Sequence, residues 1–338
     1  MKRSFAFTFV IVLLALSIII SLGLGRYEIS IDTLLHLLLW KALHVGNIPE
    51  DVALLSNIIF EIRFPRIIAV VLVGSSLSVA GASFQAMFVN PLVSPGILGV
   101  LAGASFGAAL GIMVADSWFM VQVLAFVFGF VAVLTAIGVA KIYGNNGAKT
   151  ILLVLGGVIS SALFSALLSV VKFTADPYNK LPTIVYWLMG SFSSADIKIV
   201  SMVFIPMLVG IVVLSLMGKY LNVLSLGDDD AKALGVKVVF IRTTAIILAT
   251  LLSTLTVAIA GMIGWVGLII PHIARFLVGP DNRVLIPMCA LLGAVFLLIV
   301  DTLCRTMMTI EIPIGIATSL IGIPIFILAL KRAKKGFA

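Results

Sequence analysis

The sequence predicts an all-α, polytopic membrane protein with about ten transmembrane helices, from its composition and from the length of its apolar runs. Of the 338 residues, 62% are hydrophobic and only 11% are charged, whereas soluble domains carry about 25% charged residues. The mean hydropathy is +1.28. The apolar runs are long and do not alternate as the strands of a membrane β-barrel do. Ten spans of about 20 residues each leave no room in a chain of 338 residues for a sizeable soluble domain.

The apolar runs place the spans along one transmembrane domain that covers residues 1–338. They are predicted at 5–24, 67–88, 93–113, 118–140, 151–171, 195–217, 243–262, 263–276, 284–304 and 312–330. The third and eighth spans are short and rich in glycine and proline, which favours broken or tilted helices. The first lacks the Ala-x-Ala site of a cleaved signal peptide, so we expect it to be retained. The outer segment 25–66 is predicted to contain a short helix on the membrane surface.

Basic residues indicate which ends of the spans face the cytoplasm. The net charge is +8, and with the N-terminus inside, 14 of the 22 lysines and arginines fall in inner segments. Only 4 of the 14 acidic residues do so. Because cytoplasmic loops collect Lys and Arg, we predict a multi-pass protein whose N- and C-termini are both cytoplasmic.

The longest predicted inner loop is 222–238, with the sequence NVLSLGDDDAKALGVKV. Gly227 followed by three aspartates is typical of a helix start, because acidic residues near the N-terminus interact favourably with the helix dipole. Gly235 is predicted to end this short helix. A capped helix followed by a second element is rigid, which favours docking of a cytosolic partner. A solvated helix that merely connects two spans explains the pattern equally well.

Three arginines lie on the predicted outer side, where the positive-inside rule expects few. Arg63 and Arg66 flank Pro65, which fits the first turn of the second span, and Arg305 ends the ninth. One interpretation is an exposed basic patch that receives an acidic partner. The other is that the side chains reach toward lipid phosphates.

Glycine and proline interrupt two membrane stretches. Asn90-Pro91 precedes the third span, and Gly264, Gly267 and Pro271 lie in the eighth. Backbone groups freed at membrane depth must face protein or a water-filled cavity, which suggests a translocation path. Close packing of small residues is an equally good explanation for the glycines of the third span.

Several other function classes lack their expected signals. No H-E-x-x-H motif indicates a metalloenzyme, and no G-x-x-x-x-G-K-[ST] loop indicates nucleotide hydrolysis by this chain. Cys289 and Cys304 are predicted to be buried thiols, without a metal site. An ion-coupled secondary transporter remains an alternative, although it needs an ionisable group at mid-membrane. The best candidates, Asp301 and His272, lie near span ends.

A set of short motifs occurs in order between about residues 60 and 330. They are RFPR at 63–66, NPL at 90–92, YWLMGSF at 186–192, LSLGDDDAKALGV at 224–236, GWVGLIIPHIAR at 264–275, DNRVLIP at 281–287 and EIPIGIATSLIGIPIF at 311–326. Each motif is weak alone, but the ordered set resembles the iron–siderophore, haem and cobalamin (FecCD-like) permease family of ABC importers.

The resemblance implies a ten-span fold like that of the cobalamin-importer permease, in a bacterial or archaeal cytoplasmic membrane. It implies a homodimer with the path between the two copies, and no cofactor bound by this chain. Two cytosolic ATPase subunits would bind ATP and Mg²⁺, and a periplasmic or extracellular binding protein would deliver the cargo. That cargo would be a ferric siderophore, haem or cobalamin, with molybdate or tungstate as the alternative.

The resemblance also implies roles for individual residues. The ATPase-coupling residues would be Leu226, Gly227, Asp228, Asp229, Asp230, Ala231, Leu234 and Gly235. The binding protein would dock on Arg63, Arg66 and Arg305. The translocation path and its inner gate would involve Lys149, Thr150, Ile151, Gln85, Asn90 and Pro91.

Overall fold

A computed structural model describes residues 2–25, 27, 29–43, 52–115, 117–143 and 149–336. This part of the chain is helical and contains no strand, so the all-α prediction is confirmed. The α-helices are α1 (Lys2–Gly23), α2 (Ile31–Leu43), α3 (Val52–Ser56), α4 (Phe64–Met87), α5 (Val100–Val114), α6 (Trp118–Tyr143), α7 (Lys149–Thr174), α8 (Lys180–Leu188), α9 (Ile197–Leu216), α10 (Gly218–Leu224), α11 (Asp228–Ala233), α12 (Val238–Ala260), α13 (Val266–Val278), α14 (Asn282–Thr306) and α15 (Ile314–Gly336). A π-helical segment, Asn57–Arg63, joins α3 to α4, and a 3-10 turn, Pro95–Leu98, precedes α5.

Among the described residues, seven helices are long and apolar enough to cross a membrane, and three apolar helices are shorter. Together they correspond in order to the predicted spans. The third and eighth predicted spans are the short helices α5 and α13, of 15 and 13 residues. Each begins after a non-helical stretch at the glycine and proline breaks, as the sequence predicts.

Helix α4 forms the centre of the bundle, and almost all of its residues are buried. It packs against α9, α12, α13 and α14. Small residues permit this close approach, because a Cβ at Gly74 would overlap the carbonyl group of Gly293. A Cβ at Gly81 would overlap the backbone of Gly267 in the same way, as expected where membrane helices pack closely.

The two ends of the helical bundle are distinguished by the residues that lie there. We call Leu226–Gly235 the coupling segment. Helix α12 begins beside it at Val238 and ends at Ala260, so we call the end that contains Ala260 the distal end. The predicted surface helix is present there as α2, which contributes Leu34 and Leu37 to a small apolar cluster with Ile59.

Candidate functional site

The coupling segment is a short, exposed helix between two glycine turns. Gly227 and Gly235 have φ angles of +112° and +76°, a region that side chains other than glycine rarely adopt. Within α11, Ala231 is buried, whereas Leu226 before the helix and Leu234 after it are 61% and 62% exposed. These two leucines flank the helix and present apolar side chains that nothing in the described chain covers.

Ion pairs hold the coupling segment in shape. Asp228 accepts two hydrogen bonds from Arg242, of 2.6 and 3.0 Å, which ties the first residue of α11 to α12. Asp229 accepts one from Lys232 at 2.9 Å within the helix, and this pair is largely exposed. The three successive aspartates therefore differ in their surroundings, and Asp228 carries the tertiary contact.

Polar contacts also connect helix α10, which leads into the coupling segment, to the central helices. The hydroxyl group of Ser225 lies 3.2 Å from the carbonyl oxygen of Ala86, near the end of α4, and 2.9 Å from that of Leu221 in α10, so its one proton is shared between them. The amide group of Asn222 donates to Asp281 at 2.7 Å and accepts from the backbone of Asn282 at 2.8 Å. Movement of the coupling segment would therefore be passed to α4 and α14 through these contacts of α10.

Asp281 lies outside the spans and joins three groups at this junction. Arg283, and then Asn222, hold the pKa of its carboxyl group well below the ordinary value through hydrogen bonds. The same contact raises the pKa of Arg283. Asp281 also accepts from the backbone N–H of Arg283, which caps the start of α14.

The residues that the sequence assigns to the path occupy different environments. Gln85 is buried, and its side chain accepts a 2.7 Å hydrogen bond from Arg275 while its amide group faces the carbonyl groups of Val93 and Leu268. These contacts tie α4 to α13, and the assignment of Gln85 to the path stays a prediction. Asn90 and Pro91 are exposed in the turn after α4.

The predicted gate lies at the start of α7. Ile151 is exposed there. Lys149 and Thr150 are the first residues of this helix, and their side chains lie outside the described part of the structure. The gate assignment stays a prediction.

The predicted exposed patch of outer arginines is wrong in one respect, because all three side chains are buried. Arg63 donates to the carbonyl groups of Leu22, Gly23 and Tyr27, at and beyond the end of α1. Helix C-termini present free carbonyl groups and a partial negative charge, so this guanidinium caps α1. The residue ties the end of α1 to the start of α4, and its role in docking the binding protein stays a prediction.

The other two arginines belong to a buried ionic cluster at the distal end. Arg66 forms ion pairs with Asp301 at 2.8 Å and with Glu311 at 3.0 Å. Arg305 contacts the same aspartate at 3.1 Å and donates to the hydroxyl group of Ser21 at 2.6 Å. The acidic residues that the sequence led us to expect on a partner are here supplied by the chain itself.

Comparison with known proteins decides the family. A family model described as the FecCD transport family matches residues 13–332, which is most of the chain. The chain belongs to the FecCD transport family. The molybdate import system permease protein MolB of Haemophilus influenzae is 39% identical over 313 residues, covering 93% of this chain and 91% of the relative. A probable iron chelatin transport system permease protein of Helicobacter pylori is 39% identical over 285 residues, covering 84% and 86%.

A solved structure supports the family assignment at the level of the fold. It is described as an inward-facing conformation of a putative metal-chelate type ABC transporter. It matches this FecCD-family chain with a TM-score of 0.85 and 37% identity, over 97% of this chain and 99% of that one. The resemblance inferred from the motifs and the predicted permease-like fold are therefore confirmed.

Sequence reasoning missed several residues of this FecCD-family chain that act through tertiary contacts. Arg242, Arg275 and Glu311 pair with predicted site residues, and none was assigned a role. Asn222 lies inside the predicted loop, but the sequence did not indicate that it binds Asp281 and Asn282. A signal existed for Asp301 and Arg305, whose spacing of four places them on one helix face. The two cysteines are buried and free, as predicted.

Proposed function

We propose that this chain is the permease subunit of a binding-protein-dependent ABC importer that moves a metal chelate inward, driven by separate ATPase subunits. The observation that carries the proposal is the coupling segment, a rigid helix with exposed leucines that is connected to α4 and α14. Membership of the FecCD transport family is consistent with this role. In this proposal the coupling segment is cytoplasmic, the distal end is outward and both chain termini are inside.

The coupling segment is proposed to contact the ATPase subunit through Leu226, Leu234 and the exposed face of α11. Burial of such side chains against a partner contributes roughly 1.5–3 kcal/mol each. The glycine turns and the Asp228–Arg242 pair keep this surface in one shape, and Asp230 is proposed to face the ATPase subunit. Motion imposed on it would then pass through Ser225 and Asn222 to the central helices.

A second copy of the chain is proposed to cover part of α7. This helix presents a row of exposed apolar side chains that includes Leu155, Val158, Leu163 and Val170. Lipid or a second copy would satisfy such a face equally well energetically, since lipid tails are as apolar as leucine. If the path lies on the axis of a homodimer, the α7 helices of the two copies must lie near each other.

Disulfide crosslinking tests the dimer. Val158→Cys on α7 is expected to crosslink between copies in the membrane, whereas Val12→Cys on α1 serves as an equally apolar, exposed control. The native cysteines are buried, so they add little background. Efficient crosslinking at position 12 with none along α7 would place the second copy elsewhere.

A second candidate cargo is molybdate. The observation that favours it is the 39% identity to MolB over 93% of this chain. The metal-chelate type structure and the probable iron chelatin permease of Helicobacter pylori favour a chelate. Selection of cargo is expected to reside in the separate binding protein, so both cargoes require the same coupling machinery.

Reconstitution tests the proposal and its alternatives together. The permease, its ATPase subunits and a loaded binding protein would be assembled in proteoliposomes with ATP. ATP-dependent uptake of a ferric chelate is expected, and uptake of labelled molybdate instead would identify the second cargo. Uptake driven by an ion gradient without ATP would identify a secondary transporter and refute the importer.

A further inference from the structure

The distal end contains a cleft that none of the assignments above uses. Two adjoining cavities, of about 370 and 320 Å³, share Trp118 and Thr183 in their walls. They lie between the start of α6, helix α8 and the end of α12. We call them together the distal cleft. Its size falls within the range of small-molecule sites, about 300–1,000 Å³.

The lining of the distal cleft combines aromatic rings with hydroxyl groups. The residues that matter to the argument are Trp118, Thr183, Tyr186, Trp187, Ser191 and Ser193. Apolar walls with a few convergent polar groups are typical of sites that bind organic molecules. Trp and Tyr also collect at membrane interfaces, but interfacial anchoring does not call for hydroxyl groups gathered around one cavity.

The wall formed by 190–191 and 260–261 is held by close backbone contacts. Gly190 and Gly261 have φ angles of +78° and +70°, and a Cβ at Gly261 would overlap the carbonyl group of Trp187. The backbone N–H of Ser191 donates to the carbonyl group of Ala260, and Ile314 donates to that of Gly190, both at 3.0 Å. The cleft is therefore preformed, and its wall is connected directly to the start of α15.

The charge of the lining restricts the ligand class. The one basic residue in it is Lys180, whose ammonium group already donates to the carbonyl group of Ile112 at 2.8 Å. That hydrogen bond uses one of its three N–H groups, so the described lining offers an oxyanion a single, partly engaged cation. Among the residues that the structure describes, the lining includes no His, Cys, Asp or Glu, so this part of the cleft would contact the organic part of a ligand and not coordinate its metal.

We infer that the distal cleft is an access site of the permease for the organic shell of a metal chelate, before the chelate enters the membrane path. This inference rests on the proposed function and adds the cargo chemistry to it. Trp118 and Tyr186 would stack on planar or apolar parts of the shell. The hydroxyl group of Ser193 accepts from Ser191 and would donate its own proton to an amide, hydroxamate or phenolic oxygen of the shell. The hydroxyl group of Thr183 already donates to the carbonyl group of Asn179, so it would accept from an N–H or O–H group of the shell.

Equilibrium dialysis of the full-length permease in nanodiscs tests the inference. The probes are a radio-iron-labelled neutral ferric trihydroxamate, a labelled ferric tris-catecholate, labelled cyanocobalamin and labelled molybdate. At least one chelate is expected to bind saturably, and molybdate should neither bind nor compete. Trp118→Ala and Tyr186→Ala should each raise that Kd roughly tenfold, in the range of a lost aromatic contact.

Phe119→Ala and Tyr178→Ala are the matched controls, because both side chains are exposed aromatics near the cleft that do not line it. Each should leave the Kd unchanged. Ser193→Ala removes only a hydroxyl group at the surface, so its effect on Kd is independent of any change in folding. The inference fails if no chelate binds saturably, if the controls weaken binding as much as the cleft variants, or if molybdate competes.

The failure of this inference differs from the failure of the proposed function. If the reconstituted importer takes up a chelate while the isolated permease shows no cleft-dependent binding, the importer stands and the access site is wrong. If the permease binds a chelate in the cleft but ATP never drives its uptake, the importer assignment is wrong.

Discussion

Arg242 binds Asp228 at two points, with Nη2 2.6 Å from Oδ1 and Nη1 3.0 Å from Oδ2. Asp228 begins α11, and Arg242 lies near the start of α12. The pair thus closes the turn at Gly235 and sets the angle between the coupling segment and a long span. Paired hydrogen bonds between guanidinium and carboxylate fix geometry better than a single contact does.

Removing this pair is expected to uncouple ATP hydrolysis from transport. Asp228→Ala should lower the amount of cargo moved per ATP at least about fivefold, the lower end of ordinary coupling between sites. The ratio is measured in proteoliposomes from uptake and phosphate release. Asp32→Ala on α2 is the matched control, because its carboxylate pairs within an exposed helix but lies at the distal end, away from the coupling segment. Equal ratios for the two variants would show that the pair plays no part in coupling.

Gly235 is expected to require its backbone conformation rather than its small size. No atom lies within 4 Å of a Cβ built there, but the φ angle is +76°. Gly235→Val should disturb the turn and reduce transport, whereas Gly235→Asn should retain it, since Asn tolerates the left-handed region. Uptake and co-purification of the ATPase subunits are compared for both variants. Normal uptake by the valine variant would mean that the turn is not needed.

The distal ionic cluster is expected to stabilise the fold. Arg66→Met leaves Asp301 and Glu311 without this cation, and breaking a buried ion pair costs about 3–5 kcal/mol. The variant should unfold at a markedly lower temperature in detergent. Arg283→Met is the comparison variant and should lower the midpoint far less, since that arginine is largely exposed in its pair with Asp281 and such pairs contribute about 0–1 kcal/mol. An unchanged midpoint for Arg66→Met would indicate that the cluster is open and free for a partner.

Asp281 is expected to make stability depend on pH in the acidic range only. Its pKa is lowered in the folded state by Arg283 and Asn222, so its contribution is present above the ordinary carboxyl pKa of about 3.9. It is lost as the pH falls further, through the folded-state pKa. Asp281→Asn should therefore lower the midpoint at pH 7, and the difference from the parent should shrink below about pH 4. A difference that grows on acidification would contradict this sign.

The spans and the coupling segment could be predicted because their signals are local. Long apolar runs mark the helices, and three aspartates between two glycines mark α11. Whether the outer arginines are buried or exposed could not be predicted in this way, because it depends on partners that are distant in the sequence. Arg66 and Glu311 are 245 residues apart in the chain. The expectation of an exposed patch followed from the side of the membrane alone, and the packing of α1, α4 and α14 overrides it.

The same reasoning explains what the sequence revealed about the path. Glycine and proline breaks correctly indicate where α5 and α13 begin, since both residues interrupt helices. Whether a polar residue beside a break faces a cavity or a neighbouring helix depends on packing. Gln85 faces Arg275 in α13, and no local pattern distinguishes that outcome from a path-lining position.

The most direct test of the central claim measures ATP hydrolysis and chelate uptake together in one preparation. Proteoliposomes that contain the permease and its ATPase subunits would receive the loaded binding protein, with the parent and Asp228→Ala compared side by side. The account predicts ATP-dependent accumulation by the parent, and hydrolysis with little accumulation by the variant. Chelate accumulation that is the same with and without ATPase subunits would contradict it.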